Sequence, residues 1–349
     1  MQKLTYILCS LSVFVLVSCQ TLVENVTLPY QERLVINAFV SPQDTIVEVK
    51  VSKTSPVVGT FSQNYYFNDN TYQPIEGVTI EISDGQRRVN VPLQSISYPQ
   101  NIDQNGKTVY AIKKGYFLKT KDFPFIAGKT YNLTASAANL PTVTASCTIP
   151  QKRISSSDYQ ILGLSSIDSV QSGYGTTSSP TGAKINYRTF NLYKRLTVLV
   201  KDFASEENFY TIAYYTRNVL ENKDAKGNII TTIESRQQHT KDLISDYKQD
   251  GALLQFKKVN FFVDYYSEDP SQNQYNNYNN YTPKRITLLI HIAVIDKAYY
   301  QYLQSININN AGVDNGNPFA EPVLTYSNIQ GGLGVFAGFN TTPIELVLK

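Results

Sequence analysis

The sequence predicts an all-β fold: two β-sandwich-like domains, the N-terminal one immunoglobulin- or transthyretin-like, with one short helix in the C-terminal domain. Three observations predict it. Apolar residues recur at every second position in many short segments, the spacing of a half-buried strand. The chain is rich in strand formers, with 26 tyrosines and 16 phenylalanines against no tryptophan and one methionine. Only a single stretch, after Asp296, carries apolar residues near helical spacing.

Residues 1–18 come first and read as a signal peptide. Lys3 supplies the positive start, Leu4 to Val17 form a short apolar run, and Leu16-Val17-Ser18-Cys19 follows at once. An aliphatic residue three before a cysteine and a small residue directly before it form a lipobox, so Cys19 is expected to carry diacylglycerol and an N-acyl chain such as palmitate. Several acyl chains, at ~0.8 kcal/mol per buried methylene, make a lasting anchor where one would not. Residues 19–33 then read as lipid anchor and tether. No later stretch approaches the length of a spanning helix.

Residues 34–150 are expected as the first sandwich. Leu34 to Val40 and Thr45 to Lys53 read as strands, and Val78 to Ile82, Asp84-Gly85 and Arg87 to Leu93 read as a hairpin around a tight turn. Gly128 to Leu133 opens another strand. Thr142 to Ile149 closes the set, with Val143, Ala145, Cys147 and Ile149 on one face. Of three cysteines, Cys9 leaves with the signal and Cys19 carries lipid, so Cys147 is expected as a buried, inert thiol with no partner for a disulfide.

Residues 151–190, rich in Ser, Gly and Thr, read as a linker or long surface loop. Residues 191–349 are expected as the C-terminal β domain, with strands at 194–200, 209–217, 228–234, 253–266 and 285–295. In the last, apolar residues occupy both faces, which predicts a central strand covered on both sides. Asp296 is expected to cap a short helix reaching about Asn307, with Tyr299, Tyr300, Leu303 and Ile306 on its apolar side. The tail from Pro322 returns to extended structure.

The formal net charge is +3, Lys3 is lost with the signal, and no cluster of Lys and Arg stands out; nucleic acid is therefore excluded as a partner. Catalytic constellations are absent from the pattern. His239 and His291, the only histidines, lie far apart; His239 is expected solvated and His291 satisfied in the core, and no metal is expected. No GxSxG elbow occurs, and Gly332-Leu333-Gly334 lacks the strand before and the helix after that a phosphate loop requires. Two acid clusters, Asp202, Glu206 and Glu207, then Asp264, Glu268 and Asp269, read as solvated turn acids ahead of a calcium site. The chain is therefore expected to be no enzyme and to hold no cofactor beyond the lipid. The most suggestive segment carries Tyr265, Tyr266, Tyr275, Tyr278 and Tyr281 among Asn and Gln, a mix that recognition loops favour; it is read as a candidate ligand-binding surface or a plain hairpin loop.

Several segments together resemble one family. These are the lipobox, Leu34-Val35-Ile36-Asn37, Gly77 to Ile82, Gly128 to Leu133, Val143 to Pro150, Pro318-Phe319-Ala320-Glu321-Pro322 and Ser327 to Phe336. The family is the Bacteroidota lipoproteins termed domain of unknown function DUF4249. The resemblance implies an outer-membrane lipoprotein, often encoded beside TonB-dependent transporters, and supplies no functional residue. Asp44-Thr45-Ile46 and Asp168-Ser169-Val170 also resemble an O-glycosylation pattern of Bacteroidota secreted proteins, short enough to recur by chance. The expected function is a non-catalytic accessory or binding component of a TonB-dependent uptake system, with a transporter as partner and a small-molecule or glycan ligand. A surface adhesion or glycan-binding module is the alternative. Gln20 after the cysteine carries no retention acid, so the outer membrane is expected, with either face open.

Overall fold

The computed structural model describes residues 31–54, 73–102, 108–163, 168–178, 184–223, 229–237, 242–257, 259–268, 285–314 and 324–348. The chain forms two compact units, Arg33–Thr54 with Tyr66–Lys349, and Met1–Glu32 with Ser55–Tyr65. Every element below belongs to the first.

The N-terminal elements follow the alternation. β1 (Leu34–Val40) and β2 (Ile46–Lys53) bury every second residue. β3 (Thr79–Ser83) turns through Asp84-Gly85 into β4 (Arg88–Asn90). Gly85 takes a φ of 87°, and the Asp84 carboxylate accepts the Gln86 and Arg87 amides at 3.1 and 2.7 Å. Those bonds hold its pKa below the usual 3.8. β7 (Thr130–Ser136) and β8 (Val143–Thr148) form where strands are expected, and they pair with each other. Between them the sequence reading misses a long hairpin, β5 (Leu93–Ile102) and β6 (Thr108–Lys119). Pro99 and the polar residues around it break the alternation. The ladder tolerates Pro99 because β5 is an edge strand and shifts register between Pro99 and Asn101.

The stretch 151–190 is not the expected linker. It holds β9 (Tyr159–Leu162), β10 (Asp168–Ser178) and the start of β11 (Lys184–Lys201). Its small and polar residues suggest a loop, yet β10 is stabilised by backbone pairing with β11 rather than by an apolar face legible in sequence. β12 (Phe209–Lys223), β13 (Ile229–Gln237) and β14 (Asp242–Ser245) follow. The strand expected at 253–266 is two, β15 (Leu253–Gln255) and β16 (Val259–Glu268), both paired with β11. β17 (Arg285–Ile295) leads into helix α1 (Lys297–Asp314), longer than the expected span, and β18 (Leu333–Val347) ends the chain. The helical pattern fades at Asn307, Asn309 and Asn310 because they supply no apolar stripe, while the backbone bonds continue.

A nine-stranded sheet runs β13-β12-β17-β18-β1-β2-β6-β5, with β14 on β12. Its centre is a parallel pair, Val35–Val40 of β1 beside Leu333–Gly338 of β18. The two halves of the sequence therefore share one sheet. Over its β1-β2-β6 part lies the four-stranded sheet β4-β3-β7-β8, enclosing a core of Leu34, Ile36, Val49, Tyr131, Leu133, Cys147 and their neighbours. Over its β12-β17 part lies β11 with β9 and β15, enclosing Val198, Tyr210, Ile212, Phe256, Leu288 and Ile290. This is the expected all-β, sandwich-like architecture.

β17 is covered on both faces, as predicted. Ile286 to Val294 on one side enter the second core, and Ala293 and Ile295 on the other lie under α1. Asp296 caps that helix: its carboxylate accepts the Tyr299 amide and the Gly338 amide of β18, each at 2.7 Å. Tyr299 packs on Phe39 and Tyr300 on Phe209, each with ring centroids 4.6 Å apart.

The glycine-rich ending is a packing device. Gly334 sits at φ 104°, and a Cβ there would lie 2.0 Å from the Ile36 carbonyl oxygen of β1. Asn328 fastens the entry to β18, accepting the Phe336 amide at 2.9 Å and donating to the Phe336 and Ser146 carbonyls at 2.7 and 3.2 Å. Cys147 is buried, and burial drives its thiol pKa well up, so it is inert as expected.

Candidate functional site

The notable side-chain cluster is formed by three turns. β11 ends at Lys201 and delivers Asp202; β14 ends at Ser245 and delivers Asp246; the next turn delivers Asp250 before Gly251. One carboxylate oxygen from each lies within 4.8 Å of the others. Asp202 and Asp246 are 4% and 6% exposed, and Asp250 is open to solvent.

Each acid is held by its own donors. The Tyr210 hydroxyl donates to Asp202 Oδ1 at 2.7 Å and the Gly251 amide to Asp202 Oδ2 at 2.8 Å. The Asn208 amide donates to Asp246 Oδ2 at 2.9 Å, and the Ser205 amide to Asp250 Oδ1 at 2.7 Å. Asn208 stays in place by donating its side-chain amide to the Phe203 and Glu206 carbonyls. Ser205 and Lys248 adopt φ values of 70° and 63°, so both turns carry backbone strain beside the acids.

Electrostatics follow from the crowding. Among the described residues, no lysine or arginine forms an ion pair with these three carboxylates; Glu206 pairs instead with Lys152 and Glu207 with Lys297. Burial, with the charges of Asp202 and Asp250, pushes the Asp246 pKa up, against the lowering effect of the Asn208 amide. Burial and the bond to Asp202 push Tyr210 up as well. Three oxygens so placed can share a proton, or can serve as part of the oxygen set that hard divalent cations take.

The sequence reading of Asp202, Glu206 and Glu207 as one solvated cluster is therefore corrected. Asp202 is buried, and its companions come from two successive turns distant in sequence. The signal was present in Asp246-Tyr247-Lys248-Gln249-Asp250-Gly251, where two acids precede a turn glycine, but nothing in sequence placed that turn against Asp202. Asp264 and Glu268 lie in β16, not in a turn; Asp269 falls outside the described residues.

The other candidates are dispersed. Tyr265 and Tyr266 belong to β16, opposite Phe190 and Thr189 of β11. Tyr275, Tyr278 and Tyr281 lie outside the described residues, as do Cys19 and His239. His291 is half-buried on β17 with its ring 5.1 Å from that of Tyr215, and burial lowers its pKa. It is packed by an aromatic neighbour rather than enclosed in the core. Among the described residues no helix is long and apolar enough to cross a membrane.

Comparison with known proteins adds little about chemistry. No curated protein matches the chain. Among solved structures, the M60 catalytic domain with the CBM51-1 and CBM51-2 domains of Clostridium perfringens ZmpB aligns at 8% identity over 77% of this chain, with a TM-score of 0.10. The chain spans 38% of that structure's length, and an overlap this poor carries no argument. The family described as "Domain of unknown function (DUF4249)" matches residues 23–345. The chain belongs to the DUF4249 family.

Proposed function

We propose that this chain is a non-catalytic lipoprotein of the outer membrane that serves as an accessory, binding component of a TonB-dependent uptake system. The observation that carries the reading is the lipobox. Lys3, the apolar run from Leu4 to Val17, and Leu16-Val17-Ser18-Cys19 give acylation and export one consistent explanation. Two or three acyl chains on Cys19 hold the body at a membrane surface. The strand-rich body suits binding, since rigid sheets present turns and edges to a partner at fixed geometry. The test is affinity purification of a tagged copy from gently solubilised outer membranes, followed by mass spectrometry. A stoichiometric TonB-dependent transporter is expected; repeated recovery of the lipoprotein alone sinks the accessory role.

A second reading draws on the tyrosine- and asparagine-rich segment from Tyr265 to Tyr281, whose composition suits an adhesion or glycan-binding surface. Binding on a glycan array that disappears when Tyr275, Tyr278 and Tyr281 are replaced by serine supports this alternative. Binding that survives those replacements removes it.

A further inference from the structure

Among the described residues, the β5–β6 hairpin exposes two apolar side chains, Tyr110 and Ile112, 59% and 76% exposed. Strand alternation explains why they are apolar. Tyr116 of β6 points into the first core, and Ile112 and Tyr110 share its face. Pairing between β6 and β2 stops at Val49 opposite Tyr116. Beyond that point the Val51 carbonyl accepts the Ile75 amide, and among the described residues β6 continues paired with β5, Ser97 opposite Ile112 and Pro99 opposite Tyr110. The core face of the hairpin thus runs past the sheet that would cover it.

Register shows which end of the body this is. Ala38 of β1 faces Val49 of β2, and Val49 faces Tyr116 of β6. Four residues back along each strand, ~13 Å at the usual rise, lie Leu34 and Ile112. Tyr110 stands ~7 Å farther on. Leu34 is where the chain enters the fold, and Cys19 precedes Arg33 by a tether that can span at most ~48 Å when fully drawn out. The exposed pair therefore lies at the end of the body where β1 begins, the end at which the chain arrives from Cys19. Exposed apolar side chains side by side mark an interaction surface, and a tyrosine, apolar in body and polar at its tip, suits the headgroup level of a bilayer. Lys114, next along the same face, is ion-paired with Glu76 and adds no unbalanced charge.

We propose that Tyr110 and Ile112 form the surface by which the body rests on the bilayer that holds its lipid anchor. The inference rests on the acylation of Cys19. It also gives the body a direction. Tyr247 and the acids Asp202, Asp246 and Asp250 lie at the opposite end: Ser245 faces Phe209, Phe209 faces Ile295, Ile295 faces Phe339, and Gly338 faces Val40 at the far end of β1. The acidic turns then point away from the membrane.

The test uses the acylated full chain in vesicles of phosphatidylethanolamine and phosphatidylglycerol. An environment-sensitive fluorophore is placed on Ile112→Cys, on Tyr110→Cys as a second reporter, and on Tyr247→Cys as the control, Tyr247 being 74% exposed. Cys147 is buried and does not compete for label. The expected result is a blue shift at 110 and 112 with quenching by nitroxide-bearing lipid, and neither at 247. Emission at 110 and 112 that stays water-like while the protein floats with the vesicles overturns the proposal. So does a shielded label that nitroxide lipid fails to quench, which assigns the surface to a second copy or another protein. Protein that carries no acyl group and stays out of the floated fraction overturns the anchor and this surface with it.

Discussion

Replacing Gly334 by alanine tests whether the parallel join of β1 and β18 has the tightness described above. Two costs add at this position. The φ of 104° lies outside what an L side chain adopts comfortably, which costs ~1–3 kcal/mol. The added Cβ would also lie 2.0 Å from the Ile36 carbonyl oxygen and 2.8 Å from its carbon. Backbone on a central strand cannot swing aside as a side-chain tip can. Relief requires β18 to move away from β1 by more than 1 Å by simple van der Waals contact, which puts at risk ladder bonds worth ~1 kcal/mol each. The expected loss is ~4 kcal/mol or more, in the range reserved for a few severe mechanisms. Gly77→Ala supplies the control, because its φ is 74° and nothing lies within 4 Å of the new Cβ; only the backbone strain remains there. Urea unfolding followed by tyrosine fluorescence and circular dichroism measures both, the chain having no tryptophan. If Gly334→Ala comes within about 1 kcal/mol of Gly77→Ala, the close approach is not a constraint and the reasoning fails.

Three further outcomes are expected. Asn328→Ala removes a side chain that accepts the Phe336 amide and donates to two carbonyls, and should cost ~2–3 kcal/mol in the same unfolding assay. Burial pushes Asp44 and Asp296 from 3.8 to about 6, and Asp246 moves the same way. The fold holds these protons more tightly than the unfolded chain, so their contribution is fullest below 3.8 and is lost as pH rises, for Asp44 and Asp296 through about 6. Asp250→Asn takes one repelling charge from beside Asp246 and should shrink the drop in melting temperature between mildly acidic and neutral buffer; an unchanged drop contradicts the crowding. Cys147 should resist alkylation in the folded protein and react only on unfolding, read by mass spectrometry.

Much of the framework was legible in sequence because it is written locally. β1 and β17 appear where the alternation places them, the Asp84-Gly85 turn joins its two strands, and Asp296 caps the helix it precedes. Cys147 lies on the apolar face that Val143, Ala145 and Ile149 define. What escaped depends on partners far away in the chain. The parallel pairing of β1 with β18 has no local signature, and β10 is held by β11 through backbone bonds that small polar residues do not advertise. Pro99 hid β5 for a physical reason, since proline removes a ladder donor and is tolerated only where an edge leaves that donor unused. The candidate site was the least legible. Asp202 could be seen as an acid near the end of a strand, but burial and the approach of Asp246 and Asp250 arise only once β12 has brought β14 and its following turn alongside.

Anchoring through Cys19 underlies the accessory role and the bilayer-facing surface alike. It is tested most directly by the mass of the N-terminal peptide from protein isolated out of its native membranes. The expected chain begins at Cys19, with residues 1–18 gone and the cysteine carrying thioether-linked diacylglycerol. A chain that retains residues 1–18, or begins elsewhere with an unmodified Cys19, would contradict it.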